Sequence, residues 1–292
     1  MTGPVMITGA AGQLGYELQR TAPGDCVLLP VDIDQLDLTD EDAVEGFIRT
    51  HRPATIINGA AYTAVDKAES EPAMAQKVNV TAAEALARAA HRHGARMIQI
   101  STDFVFGGAT SRPWRPDDVT SPQSVYGTTK RDGESGVRAA LGDRALVIRT
   151  AWLYSAHGGN FVKTMLRVMR ERDDVRVIAD QVGTPTWANS LARTLWAAVA
   201  RPDVSGTLHW TDAGVASWYD FAVAIQEEAI VRGLLDRAVP IYAIPTSAYP
   251  TPAVRPSYSV LDKSDTTRLL GAEPMHWRVN LRQMLDEVRD DA

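Results

Sequence analysis

Val5-Met6-Ile7-Thr8-Gly9-Ala10-Ala11-Gly12-Gln13-Leu14-Gly15 is the stretch that decides the fold. An apolar run enters a turn with glycines three and three apart, and a helix signal over Gln13 to Thr21 follows at once. A strand, a glycine turn and a helix in that order let the backbone approach a pyrophosphate closely, with free amides at the helix N-terminus facing it. Gly9, Gly12, Gln13, Leu14 and Gly15 are therefore candidate dinucleotide ligands. The spacing departs from the usual G-x-G-x-x-G, so the context carries the inference rather than the pattern alone.

The context extends outward. Cys26 to Val31 reads as a second strand, Asp40 to Thr50 as a helix with acids in its first turn, and Ala54 to Asn58 as a third strand. Glu71 to His93 reads as one long alanine-rich helix stopped by Gly94, followed by strands at Arg96 to Ser101 and Arg144 to Arg149. Strands alternating with helices imply right-handed crossovers and a parallel sheet. The fold class expected is α/β, a Rossmann-type doubly wound parallel sheet with a smaller, interleaved C-terminal substrate-binding α/β part. Residues 1–150 are expected to form the dinucleotide-binding domain, with some later segments returning to it, and 151–292 the mainly substrate-binding part. There, Asn160 to Glu171, Trp187 to Ala200 and Trp218 to Arg232 read as helices. Pro240 to Pro256, with five prolines, reads as an extended ordered loop.

Composition narrows the function. Thirty Lys and Arg against 36 Asp and Glu give a net charge of −6, and 45% of residues are hydrophobic. An acidic chain without a basic block is a poor nucleic-acid partner. No apolar run reaches the roughly 18 residues of a membrane span, and no signal peptide is visible, so a soluble cytoplasmic protein is expected. The single cysteine, Cys26, excludes an internal disulfide and a Cys-rich zinc site. The six histidines form no H-x-x-x-H or H-E-x-x-H pattern, and no metal is expected.

Asp32, at the end of the second strand and followed by no arginine before Arg49, is placed to bond an adenosine ribose 2′-hydroxyl and to repel a 2′-phosphate. That favours NADH over NADPH. Asp37 and Leu38 are candidate adenine contacts. Ala61, Tyr62 and Thr63 follow the third strand, where small residues let a cofactor pass. Tyr126 and Lys130 stand at i and i+4 on one helical face. A tyrosine of pKa about 10 becomes a useful acid near neutrality when an ammonium favours its phenolate. Lys130 can also hold the nicotinamide ribose. Thr102 ends the fourth strand, where a hydroxyl points into the crevice and can hold a carbonyl beside Tyr126; Ser101 is the reserve. Trp152 can wall a sugar pocket. Arg255, between prolines, can pair with a pyrophosphate or lie on the surface.

Together, the glycine turn, Ser101-Thr102 and Tyr126…Lys130 resemble the extended short-chain dehydrogenase/reductase superfamily. Within it the chain resembles the dTDP-4-dehydrorhamnose reductase family. The resemblance runs through Gly12 to Leu18, Ala64 to Glu69, Ser101 to Phe106, Arg149 to Tyr154, Asn160 to Met165, Asp180 to Thr186 and Pro250 to Pro256. It implies NADH- or NADPH-dependent reduction of the 4-keto group of a dTDP-linked sugar, with Tyr126 as proton donor, Lys130 its partner and Thr102 the oxyanion stabiliser. It also implies that Thr102, Asp103, Phe104 and Trp152 touch the sugar. The position of Phe104 is more often tyrosine in that family, which leaves another nucleotide-linked 4-ketosugar as an alternative substrate. A catalytically idle regulatory subunit on the same fold is the other alternative. Some relatives form a magnesium-linked homodimer; Glu17 is present, but Trp187-Ala188-Asn189-Ser190 lacks an acid.

Overall fold

The computed structural model describes residues 3–290. Six strands form one parallel sheet: β1 (Val5–Thr8), β2 (Leu28–Val31), β3 (Thr55–Asn58), β4 (Arg96–Thr102), β5 (Ala145–Thr150) and β6 (Gly206–His209). Their spatial order is β6-β5-β4-β3-β1-β2. The winding reverses between β1 and β3, and that switch point opens a crevice at the carboxyl ends of the strands. Alternating side chains feed two cores. Val5, Ile7, Ile57, Ile98 and Ile148 pack with Leu14 and Leu18 on one face; Met6, Ile56 and Met97 pack with Leu86 and Val137 on the other.

A second lobe has its own core around Tyr154, Leu166, Phe221, Ile225, Trp277 and Leu281. The chain does not stay there. The Ala188–Val199 helix returns to the first sheet through Leu191, Leu195 and the buried Trp196, and β6 then adds to the edge of β5.

Two elements differ from the sequence expectation. The helix expected over Glu71 to His93 is Pro72–Gln76, a π-turn over Lys77–Ala82, and Ala83–His93 capped by left-handed Gly94. The π-turn lies where Asn79 bonds the Tyr62 amide (2.8 Å), the Tyr62 carbonyl (3.2 Å) and Thr129 Oγ1 (3.1 Å). The expected loop Pro240 to Pro256 contains a strand, Ile241–Ile244, paired in parallel with Val175–Ile178. Pro240 and Pro245 bracket that strand rather than interrupt it.

The helix that carries Tyr126 and Lys130, Val125–Leu141, is anchored to β5 by a buried fork. Arg149 Nε and Nη2 each donate to a Glu134 oxygen at 2.8 Å, with both side chains almost wholly buried. Removing Arg149 leaves the buried Glu134 with only the longer Arg138 contact at 3.4 Å, and breaking a buried pair in this way costs about 3–5 kcal/mol. Arg149→Met is therefore expected to lower the urea unfolding midpoint strongly, and Arg149→Met with Glu134→Leu to recover much of the loss. Equal destabilisation in the single and double variants would remove this account of the anchor.

Candidate active site

A cleft of about 880 Å³ runs along the carboxyl ends of β1 to β5. At one end the Gln13–Arg20 helix begins on Gly12, an extended N-cap that offers no side chain, and the Gly12 amide donates to Gly9 O at 3.0 Å. The first-turn amides of Gln13, Leu14 and Gly15 have no acceptor within the helix. This is the donor set that a pyrophosphate requires, and the turn and helix that present it pack so closely that a Cβ on Gly9 or Gly15 would overlap neighbouring backbone. Gly9, Gly12, Gln13, Leu14, Gly15, Asp32, Asp37, Leu38, Ala61 and Thr63 all line this part of the cleft.

Three of the expected contacts have partners within the protein. Asp32 Oδ2 accepts from the Ala11 amide and its Oδ1 from the Ile33 amide, each at 2.8 Å, tying the end of β2 to the glycine turn while the carboxylate still lines the cleft. Asp37 closes a local turn by accepting from the Thr39 hydroxyl (2.7 Å) and amide (2.8 Å), which hold its carboxyl below the usual range. Tyr62 is absent from the cleft wall; its hydroxyl donates to Glu71 at 2.7 Å.

At the other end, β4 stops at Thr102, which caps the short turn Asp103–Val105. Thr102 Oγ1 accepts from the Phe104 amide at 3.2 Å and donates to Asp103 Oδ1 at 3.0 Å. Ser124 caps the Val125–Leu141 helix, so Tyr126 sits in its first turn, with its ring edge-on to Phe104 at 5.5 Å. Thr102, Tyr126 and Lys130 share one cleft wall, with the Thr102 hydroxyl near enough to the Tyr126 phenol to bear on its ionisation. Ser101, the reserve, lines the same wall with its hydroxyl buried and unpartnered.

The expected depression of Tyr126 by Lys130 is not what the geometry produces. Lys130 Nζ donates to Ile100 O at 2.7 Å, and burial pushes its ammonium down to about 8. Burial pushes the Tyr126 phenol up to about 12, against the opposing effect of the Thr102 hydroxyl and with the Asp103 carboxyl adding to the rise. The phenol is therefore protonated throughout the neutral range, the form that a proton donor requires.

The second lobe closes the cleft. Trp152 has a left-handed backbone, φ 49°, and stacks flat on Trp218 at 3.6 Å. A non-glycine residue held there stores strain and marks a position fixed by its surroundings. Trp218 lines the cleft too, and the sequence reading missed it; the Ser217-x-x-Asp220 capping box that starts its helix was the available signal. Arg255 reaches the cleft, but its guanidinium forks onto Asp66 (Nη1–Oδ1 3.0 Å, Nη2–Oδ2 2.6 Å). It also bonds Thr251 Oγ1 at 2.6 Å. A pyrophosphate would have to displace that pair. His157, given no role from sequence, stacks on Tyr16 at 4.4 Å and bonds Ala11 O at 2.9 Å, tying the second lobe to the glycine turn. Glu17 is buried and accepts from Arg20, Ser155 and Asn189. Among the described residues no group of three His, Cys, Asp or Glu is placed to hold a metal ion, and no helix is long and apolar enough to cross a membrane.

A dinucleotide cradle at one end of a cleft and a hydroxyl pair with a lysine at the other are the working parts of a short-chain dehydrogenase/reductase, and the doubly wound sheet is of that class. The family model described as the RmlD substrate binding domain matches residues 2–290. A dTDP-4-dehydrorhamnose reductase of Escherichia coli (strain K12) is 40% identical over 292 residues, covering 97% of each chain. A Streptomyces antibioticus protein named "Probable dTDP-4,6-dihydroxy-2-methyloxan-3-one 4-ketoreductase" is 44% identical over 97% of this chain and 95% of its own. The solved dTDP-4-dehydrorhamnose reductase of Bacillus anthracis, in complex with NADP, superposes with a TM-score of 0.92 at 34% identity, covering 98% and 100% of the two chains. The chain belongs to the dTDP-4-dehydrorhamnose reductase family and is an NAD(P)H-dependent oxidoreductase.

Proposed function

We propose that the chain reduces the 4-keto group of a dTDP-linked 6-deoxysugar, taking dTDP-4-dehydro-L-rhamnose to dTDP-L-rhamnose with NADH or NADPH as reductant. The observation that carries this reading is the placement of Thr102, Tyr126 and Lys130 together on the wall of a cleft whose far end is the glycine cradle. Bound NAD(P)H supplies the hydride that C4 receives. Tyr126 gives its proton to the C4 oxygen as charge builds there, and Thr102 hydrogen-bonds the same oxygen. Lys130 holds the nicotinamide ribose and keeps positive charge beside the phenol. The amides of Gln13, Leu14 and Gly15 take the pyrophosphate, while Asp32, Asp37, Leu38, Ala61 and Thr63 flank the adenosine side. Phe104 and Trp152 meet the sugar, with Asp103 behind Thr102. In this reading residues 1–150, joined by the returning segment 188–209, carry the dinucleotide, and 151–292 mainly the sugar nucleotide. Arg255 serves to hold the proline-rich segment to Asp66.

The test is oxidation of NADH and NADPH with purified dTDP-4-dehydro-L-rhamnose, with product configuration at C4 read by NMR. Tight NADPH binding with no oxidation by any dTDP-4-ketosugar would return the chain to the regulatory reading, which the shared placement of Thr102, Tyr126 and Lys130 opposes. A second substrate reading rests on Phe104 and on the antibioticus relative: another dTDP-4-ketosugar is preferred. Comparing kcat/KM across such sugars separates the two.

Two predictions follow from the charges. The Asp32 carboxylate lies by the glycine turn, where it opposes a 2′-phosphate. Asp32→Ser is expected to raise the NADPH-to-NADH ratio of kcat/KM by roughly tenfold, about 1.4 kcal/mol. An unchanged ratio removes Asp32 from the ribose site. Lys130 carries its charge below about pH 8 and loses it above. A falling limb in kcat/KM is therefore expected as pH rises through about 8, absent in Lys130→Met, which is slower at every pH. A limb that persists in that variant belongs to another group.

A further inference from the structure

The Thr102 hydroxyl has one proton and two claims on it. Asp103 Oδ1 stands 3.0 Å away, and a developing oxyanion at C4 needs the same proton. A carboxylate can only accept, so an ionised Asp103 draws the Thr102 proton away from the substrate. The surroundings oppose that ionised form. Asp103 is 2% exposed and its Oδ2 has no hydrogen-bond partner, so burial outweighs the Ser259 and Thr102 hydroxyls that favour the ionised form. Among its neighbours are Thr102, which ends β4 just before it, Tyr126 from the Val125–Leu141 helix and Ser259 from the segment after the proline-rich stretch, all uncharged near neutrality. Lys130, on that same helix, is engaged by Ile100 O.

We propose that Asp103 is a positioning residue that works as the neutral acid, donating to Thr102 Oγ1 and so freeing the Thr102 proton for the substrate's carbonyl oxygen. The two lone pairs of Oγ1 are then filled by Asp103 and the Phe104 amide, which leaves the Tyr126 proton no acceptor there and directs it to the same substrate oxygen. Burial pushes the Asp103 carboxyl up to about 6, and the diphosphate of a bound sugar nucleotide acts in the same direction. The proposal rests on the reading of Thr102 as the group that holds the C4 oxygen.

The experiment compares kcat–pH profiles of the wild type, Asp103→Ala, Asp103→Asn, Thr102→Val and the Thr102→Val/Asp103→Ala pair, with NADPH and dTDP-4-dehydro-L-rhamnose. Melting curves and NADPH titration confirm that each variant is folded. Wild-type kcat is expected to fall as Asp103 ionises with rising pH. Asp103→Ala is expected to lose about tenfold or more in kcat with KM little changed. Asp103→Asn offers an N–H to the same oxygen and does not titrate, so it is expected to recover much of that loss and to lack the limb. On the Thr102→Val background, Asp103→Ala is expected to cost nothing further. In the free protein, the Asp103 carboxyl carbon, assigned by its loss in Asp103→Asn, is expected to titrate by NMR above the ordinary carboxylate range. An Asn variant as slow as the Ala variant, a limb that survives in it, additive losses on Thr102→Val, or an ordinary titration each overturns the proposal. Near-normal turnover in Thr102→Val would instead remove the Thr102 reading itself, and the proposal with it.

Discussion

Tyr126→Phe is expected to lower kcat roughly a thousandfold, about 4 kcal/mol of barrier, while the Kd for NADPH stays within about threefold of wild type. The substitution isolates the proton. The Tyr126 ring packs edge-on to Phe104, and a phenylalanine keeps that contact. The helix beneath it keeps its Ser124 cap and its Glu134–Arg149 anchor, so Lys130 stays on Ile100 O. What disappears is the phenol hydroxyl beside Thr102 on that wall. The Thr102 hydroxyl, the lysine and cofactor binding remain and account for residual turnover. Single-turnover oxidation of NADPH with saturating dTDP-4-dehydro-L-rhamnose measures the loss, and fluorescence titration measures the binding. A kcat within tenfold of wild type would sink the assignment of Tyr126 as the acid.

The high pKa of the phenol bears on the direction of the chemistry. Burial keeps Tyr126 protonated, which suits reduction, where the residue begins each turnover as the acid. The same burial makes the phenolate a stronger base but a scarce one, so oxidation of the alcohol product starts from a minor form of the enzyme, while the balance between the two directions is set by the reactants and the pH.

What the sequence revealed of this arrangement was what local order encodes. The strand–turn–helix at Val5 to Thr21, the alternation that follows and the i, i+4 spacing of Tyr126 and Lys130 are short-range signals, and the sheet and the catalytic wall follow from them. The contacts that correct the reading join distant segments. Arg255 meets Asp66, Trp152 meets Trp218, and Glu17 meets Asn189; nothing in the spacing of either partner announces the other. Asp32 was recognised by position, yet its bond to Ala11 depends on how closely β2 lies beside the glycine turn. The π-turn at Lys77–Ala82 was equally hidden, since alanine-rich sequence favours a regular helix and only the tertiary bonds of Asn79 mark the departure.

Gly15→Ala is expected to weaken NADPH binding by about a hundredfold or more and to lower the melting temperature, although it adds a single methyl group to a helix. A Cβ on Gly15 would lie 2.2 Å from Gly9 O and 2.6 and 2.7 Å from Ala10 Cα and C. All three atoms are backbone, so no rotamer change relieves the overlap, and either the helix or the turn has to move. The turn cannot retreat: Gly9 is left-handed at φ 67°, and its own Cβ position lies 3.0 Å from Ala60 N and 3.1 Å from Gly59 C. Overpacking of this kind costs about 1–3 kcal/mol or more in stability. The first-turn amides of Gln13 to Gly15 move with the displaced helix, so the phosphate loses its donors at the same time. Gly12→Ala provides the contrast. Gly12 is an extended N-cap, and its added Cβ would meet only Gly9 O, at 3.3 Å, so a loss in affinity under about tenfold is expected. Titration of both variants with NADPH, beside their melting curves, measures the ranking. If Gly12→Ala proves the worse of the two, backbone approach to the phosphate sets the spacing of these glycines; the expected order means that helix-on-turn packing sets it.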